Sequence, residues 1–336
     1  MAIKALALIS GGLDSILAAR IVKDAGIETV GVYFRIPFSV RKRKGKTTHE
    51  EYARQLAATI GIELNVVDLD EEFFRLVEHP AHGFGKRMNP CIDCRLLMLK
   101  KAREMLAPLG AAFIVTGEVV GQRPMSQHKH TIVRIDEEAG LQGLILRPLS
   151  GKLLGPTVPE QQGWIAREQL FAFNGRERRP QIDLAIMRGI TDFPYPAGGC
   201  LLTDIEFCRR LDDFMRHGKL SVPEIELLKL GRHFRLSGQA RLVVGRDEEE
   251  NLLIEKRALP GDYLFLPPDD IGGPTCLGRG AFDEQLLVLA ARIACAFCSR
   301  KGRTSVVIRY SRLPEAQGTQ LEVEPLTCAE IEKLKR

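Results

Sequence analysis

Ser10-Gly11-Gly12-Leu13-Asp14-Ser15 combines residue types that could handle phosphate. The string follows the apolar run Ala2–Ile9 and precedes apolar residues at Ile16, Leu17, Ile21 and Ala25, which is helical spacing. Two glycines let a backbone turn tightly and bring its N–H groups against an oxyanion, and a helix starting there adds unpaired N–H groups and the positive end of its dipole. Ser10 and Ser15 add hydroxyl donors. Asp14 would repel phosphate, so it is expected to anchor the loop or a Mg²⁺ ion. No lysine follows the last glycine, so the string is not the Walker arrangement.

Two further strings follow later strand patterns. They are Thr116-Gly117-Glu118-Val119-Val120-Gly121-Gln122-Arg123-Pro124-Met125-Ser126-Gln127, and Leu146-Arg147-Pro148-Leu149-Ser150 with Lys152 behind it. Both would sit at the carboxyl ends of strands, where an open α/β sheet binds its ligands. Arg123, Arg147 and Lys152 are the cations expected to offset charge developing on an α-phosphate. His128 and His130 come next, facing either a ligand or solvent. Cysteines form the last group. Cys91 and Cys94 make a CxxC pair within Asn89-Pro90-Cys91-Ile92-Asp93-Cys94 at a helix start, where the dipole and Arg95 favour thiolate. Cys200 follows the turn Tyr195-Pro196-Ala197-Gly198-Gly199. A second pair, Cys295 and Cys298, lies at an apolar stretch, where buried thiols are common. Cys208, Cys276 and Cys328 have no partner at useful spacing.

The elements that must position these groups alternate in the first half. Strand patterns at Ala2–Ile9, Thr29–Phe34, Leu64–Leu69, Ala112–Thr116 and Gly143–Pro148 are separated by helical ones at Ser15–Ala25, Glu50–Gly61 and Arg95–Leu106. The expected fold is α/β, a parallel sheet with helices on both faces. Pro156–Arg188 and Asp204–Leu230 read as helical. Strands at Arg241–Val244, Asp262–Leu266, Ser305–Tyr310 and Leu321–Val323 around a long helix, Phe282–Cys298, predict a smaller α+β domain. The expected division is therefore 1–205, a helical connector 206–235, and 236–336. With 336 residues, 45% of them hydrophobic and 27% charged, both domains can bury cores, which excludes a disordered or disulfide-stapled chain. No apolar run reaches the roughly 20 residues of a membrane span, and the N-terminus turns polar too soon for a signal peptide. A cytoplasmic protein is expected, its eight cysteines thiols or metal ligands. The net charge of +5 suits a polyanionic partner. Basic residues recur at Arg41, Lys42, Arg43, Lys44 and Lys46, and again at Arg176, Arg178, Arg179, Arg209 and Arg210. A solvated loop explains any one run, while several in one chain favour RNA.

The Ser10–Ser15 string resembles the PP-loop family, the N-type ATP pyrophosphatases, with a HUP-like sheet. By that resemblance the loop grips the β- and γ-phosphates of MgATP as a leaving pyrophosphate, and attack falls on the α-phosphate. Over about the first 205 residues the strings look like tRNA 4-thiouridine synthetases and, less closely, tRNA 2-thiouridylases. The resemblance implies nucleotide binding by Ser10, Gly11, Gly12, Asp14, Ser15, Gly117, Gln122, Arg123, Arg147 and Lys152. It also implies catalysis by Asp14, Cys91, Cys94 and Cys200. The three cysteines resemble the set that holds a [4Fe–4S] cluster in some sulfurtransferases, with Cys91, Cys94 and Cys200 as metal ligands. The rivals are a Cys200 persulfide resolved by Cys91 or Cys94, and a structural zinc held by the two CxxC pairs. With the loop at Ser10, no THUMP module is expected before it and no rhodanese-like domain after. Val244-Gly245-Arg246-Asp247-Glu248-Glu249-Glu250-Asn251 and Leu259-Pro260-Gly261-Asp262 look like the RNA-binding segment of NFACT proteins. The implied activity is adenylation of a tRNA uridine followed by sulfur transfer, giving 4-thiouridine. 2-Thiouridine or 2-thiocytidine synthesis and a non-catalytic, nucleotide-sensing RNA binder are the alternatives. Expected partners are tRNA and sulfide or a sulfur-donor protein, with no membrane; a homodimer is left open.

Overall fold

The apolar N-terminal run becomes the middle strand of a sheet. In this computed structural model, which describes residues 3–39, 48–191, 200–300, 302–315 and 317–335, five strands run in parallel. They are β1 (Lys4–Leu8), β2 (Glu28–Arg35), β3 (Leu64–Asp68), β4 (Phe113–Val115) and β5 (Ile145–Leu146), in the order β3-β2-β1-β4-β5. Between and after them come α1 (Leu13–Asp24), α2 (His49–Thr59), α3 (Asp70–Glu78), α4 (Cys91–Leu109), α5 (Lys129–Glu138), α6 (Val158–Gln161) and α7 (Arg179–Met187). Successive strand residues point to opposite faces. Ala5 and Ala7 of β1 accordingly bury with α1, α2 and α7, whereas Leu6 and Leu8 bury with α4 and α5. This is the expected α/β layering, and these elements form one unit, Met1–Thr203.

In this unit two helices lie where no helix was expected: α3, with three acids in its first turn to suit the dipole, and α5. The stretch 156–188 is less helical than expected, holding only the short α6 and α7 as α-helices. The Arg41–Lys46 run and the turn Pro194–Gly199 lie outside the described residues.

The second unit, Asp204–Arg336, is built on an antiparallel sheet. Its helices are α8 (Ile205–Met215), α9 (Val222–Leu228), α10 (Glu248–Lys256), α11 (Glu284–Ala296) and α12 (Cys328–Leu334). Its strands are β6 (Arg232–Arg235), β7 (Ala240–Val244), β8 (Tyr263–Leu266), β9 (Cys276–Gly280), β10 (Val306–Arg312) and β11 (Thr319–Val323), ordered β11-β10-β8-β9-β7-β6. Ala290, Ala291 and Ala294 of α11 cover one face, and Leu227 and Ile254 from α9 and α10 cover the other. The stretch expected as a connector, 206–235, packs inside this unit. Arg210 Nη1 of α8 donates to Leu228 O at 2.9 Å, and Arg235 of β6 donates to Asp213 of α8 at 2.7 Å.

Candidate active site

The strand order reverses between β1 and β4. After β1 the chain moves outward through β2 and β3, then returns to β1's other side as β4. Such a reversal leaves a crevice at the carboxyl ends of the two strands. The Ser10–Ser15 loop leaves β1 there, and the Thr116–Gln127 string leaves β4. The two segments touch: a Cβ on Gly117 would lie 2.4 Å from the Asp14 carbonyl carbon. Gly11 is held at φ +75°, and a Cβ on it would fall 2.2 Å from His49 O at the start of α2. Both glycines are therefore demanded by backbone contact. Gly12 caps α1 with no side-chain hydrogen bond to the helix's first turn. The Ser15 hydroxyl donates to Gly12 O at 2.8 Å and accepts from Ser10 N at 3.1 Å, so it closes the loop internally. The exposed Ser10 is the serine that faces outward.

Asp14 in the first turn of α1 accepts from Gln122 Nε2 at 3.0 Å through Oδ2, which also lies 3.6 Å from Arg178 Nη2. Its other oxygen, Oδ1, is buried without a hydrogen-bond partner. A buried, unsatisfied carboxylate oxygen at a helix N-terminus is suited to a cation such as Mg²⁺. Gln122 is held by a second set of bonds. Ser150 Oγ accepts from Val120 N at 3.0 Å and donates to Phe173 O at 2.6 Å, and Gly175 N donates to Val120 O at 2.8 Å. The segment after β5 and the stretch 173–175 thus grip the string after β4.

The three nominated cations do not converge. Arg147 is 3% exposed; it donates to Glu118 Oε2 at 2.8 Å and forks onto Asp136 at 2.7 and 2.8 Å. Its guanidinium is saturated by carboxylates, which its position in the sequence does not disclose. Lys152 Nζ turns to Glu168 O at 3.3 Å. Arg123 stands near the cysteines, where its charge opposes the effect of burial on Cys91 and Cys94. Glu118, to which no role was given, is central. It accepts from Arg95 at 2.7 Å, from Arg147 and from Thr116, tying α4 to the ends of β4 and β5. Burial pushes its carboxyl up, but Arg95 and Arg147 more than offset that and hold it at about 2.

Cys91 and Cys94 lie in the first turn of α4. Asn89 Nδ2 donates to Cys91 Sγ at 3.1 Å. Asp93 between them is turned away, accepting from His82 N at 3.0 Å and facing His82 Nδ1 at 2.7 Å. Cys200 reaches the same region through backbone ties: Ser39 and Cys200 form a β-bridge, Leu201 N donates to Phe38 O and Met88 N to Leu202 O. Cys94 feels both of the other thiols. Burial, then Cys200, then Cys91 push Cys94 up to about 12. Among the described residues, no three His, Cys, Asp or Glu side chains stand in a metal-holding arrangement. In the second unit Cys295 Sγ donates to Val323 O at 3.5 Å and Cys298 Sγ to Ala294 O at 3.3 Å, so both behave as core thiols. His128 and His130 stack on each other, exposed at the start of α5. No helix among the described residues is long and apolar enough to cross a membrane.

Residues 1–152 match the family model for the thiamine biosynthesis protein ThiI. Residues 231–334 match the model for the NFACT protein RNA binding domain. The tRNA-specific 2-thiouridylase MnmA of Sulfurimonas denitrificans is 34% identical over 124 residues, covering 36% of this chain and 36% of that protein. MnmA of Helicobacter hepaticus is 32% identical over 142 residues, covering 40% and 39%. The chain thus spans less than half the length of these curated relatives. A solved 4-thiouridine synthetase–RNA complex with bound ATP is similar at 20% identity and a TM-score of 0.41, covering 67% of this chain and 52% of that one. The U34-tRNA thiolase NcsA from Methanococcus maripaludis, with its [4Fe–4S] cluster, is similar at 14% identity and a TM-score of 0.30, covering 62% and 66%. The matches thus give this chain a ThiI-type segment over residues 1–152, on its five-stranded parallel sheet, and an NFACT-type RNA-binding segment over residues 231–334.

Proposed function

We propose that this protein is an ATP-dependent tRNA sulfurtransferase that converts a uridine to 4-thiouridine in the cytoplasm. The observation that carries the reading is the presence of two chemistries in one unit: a glycine loop at the sheet's switch point, with Asp14 Oδ1 buried and unsatisfied, and a CxxC pair in the first turn of α4 whose Cys94 feels Cys200. In this reading the uracil O4 attacks the α-phosphorus of MgATP. The bond to pyrophosphate breaks, and the leaving group stays against the backbone N–H groups at the start of α1. Asp14 Oδ1 takes the Mg²⁺, while Gln122 fixes the carboxylate's orientation through Oδ2. A carbonyl oxygen is a poor leaving group until adenylated, so sulfur can then displace AMP from C4.

The donor set suits an iron–sulfur cluster on chemical grounds. Cys91, Cys94 and Cys200 are all sulfur donors, Asp93 is engaged by His82, and Asn89 already directs an N–H at Cys91 sulfur. Cys91 and Cys200 oppose the ionisation of Cys94, and a cationic cluster would offset that cost. When bound by three thiolates, a [4Fe–4S] cluster supplies one iron open to an external sulfide. The second reading, thiolation at C2, is favoured by the relatives named tRNA-specific 2-thiouridylase.

Asp14→Ala tests the loop. It should retain the melting temperature and lose tRNA-dependent pyrophosphate release by roughly a hundredfold or more, as for removal of a group that stabilises transition-state charge. A folded variant releasing pyrophosphate at the wild-type rate would remove the loop from the chemistry.

A further inference from the structure

The loop needs a positive charge that none of the nominated cations supplies. Arg147 is saturated by Glu118 and Asp136, Lys152 faces a backbone carbonyl, and Arg123 stands by the thiols. Arg178 does reach the loop. Its Nη2 lies 3.6 Å from Asp14 Oδ2, beyond hydrogen-bond range, and its Nε is buried without a partner. Arg178 and Asp14 thus form a long ion pair, with a donor unsatisfied on one side and Asp14 Oδ1 on the other.

The placement is built in. The Ser150 bonds and Gly175 N to Val120 O fix the chain at 173–175, and Pro180 then starts α7 with Arg178 at its N-cap. The inner face of α7, Gln181, Leu184 and Ala185, is buried, the two apolar residues in the same core as α1. Gln181, one turn beyond Arg178, is fully buried with both amide atoms unpartnered.

We propose that Arg178 is a phosphate-binding residue of the ATP site, gripping the β- and γ-phosphates and then the departing pyrophosphate. This rests on the ATP-using reading above. A phosphate group drawing Arg178 from its long contact with Asp14 would take Nε and one Nη as a planar fork, the geometry in which arginine surpasses lysine. The Mg²⁺ accompanying the phosphates would sit against Asp14 Oδ1, so the nucleotide would satisfy both residues at once.

The test uses the full-length protein, with MgATP, inorganic pyrophosphate and AMP as separate probes in equilibrium dialysis without tRNA. Arg178→Ala should weaken MgATP and pyrophosphate binding roughly tenfold or more, and AMP binding by less than about threefold. Arg178→Lys, which keeps the charge and loses the fork, should fall between. Melting curves establish folding, and if the alanine variant does not fold the lysine variant decides. Wild-type affinities in both variants would overturn the proposal, as would equal loss for AMP and pyrophosphate. Loss of tRNA affinity alone would assign Arg178 to RNA phosphates instead and overturn it too. A wild-type protein that binds neither MgATP nor pyrophosphate would sink the ATP reading itself, an outcome visible before any variant is made.

Discussion

Glu118 accepts from Arg95 through one oxygen and from Arg147 and Thr116 through the other, so a single buried carboxylate fixes the cysteine helix against the ends of β4 and β5. Burial alone would raise its pKa, but the two guanidinium groups bring it to about 2, below the ordinary 4.5. A depressed carboxylate contributes stability that is complete above its unfolded pKa and fades as pH falls from about 4.5 towards about 2. Glu118→Gln leaves Arg147 buried beside one carboxylate fewer and should cost about 3–5 kcal/mol at neutral pH. Urea unfolding between pH 7 and pH 3.5 checks this: the variant should start weaker and lose less below pH 4.5. Equal stability at pH 7 with equal acid sensitivity would show that the ion network is not what joins these elements. The same scale shows where reading the sequence succeeds. Gly11 was legible as a position that needs backbone freedom, which its φ of +75° shows. Arg147's bonds to Glu118 and Asp136 were not legible, because spacing does not reveal whether a guanidinium meets phosphate or carboxylate. Arg178 was hidden in the charge-rich Arg176–Arg179 string, where solvation or RNA binding explained it equally well.

Elements bring Cys94 within electrostatic reach of Cys91 and Cys200. Cys91 and Cys94 share the first turn of α4, and Cys200 arrives on a strand-like segment bridged to Ser39 after β2. The parallel sheet was legible from alternating apolar runs, including its order of appearance. β6 and β9 were not. Arg-His-Phe-Arg reads as charged, since its buried His233 and Phe234 look like isolated residues. Cys-Leu-Gly-Arg-Gly carries two glycines, although a Cβ on Gly278 would collide with the Phe282 ring at 2.7 Å. Tertiary contact overrides local propensity in both. The meeting of α4 with the Cys200 segment predicts where metal would go. Protein purified without air should hold about four irons per chain, as a [4Fe–4S] cluster requires. Cys91→Ala, Cys94→Ala and Cys200→Ala should each lower that content, while Cys295→Ala, in the second unit's core, should not. A fully active iron-free protein with a persulfide on Cys200 by mass spectrometry would replace the cluster with the rival scheme.

At the scale of the whole molecule, each unit has its own core, and the match to an RNA-binding domain falls within the second. The string that suggested this domain is largely scaffolding. Asp247 caps α10 by accepting from Glu250 N, Asn251 Oδ1 accepts from Thr275 N, and the buried Glu250 accepts from Gly231 N. The sequence therefore made the domain recognisable without revealing which surface meets RNA. The central claim is that the two units together thiolate a tRNA uridine at the expense of ATP. The direct measurement is nucleoside analysis by mass spectrometry after incubating the anaerobic, full-length protein with unmodified tRNA, MgATP and sulfide. The account predicts 4-thiouridine in the digest, with one AMP and one pyrophosphate formed for each sulfur incorporated. 2-Thiouridine in its place would contradict the assigned position, and tRNA that binds yet gains no sulfur while ATP is consumed would contradict the account as a whole.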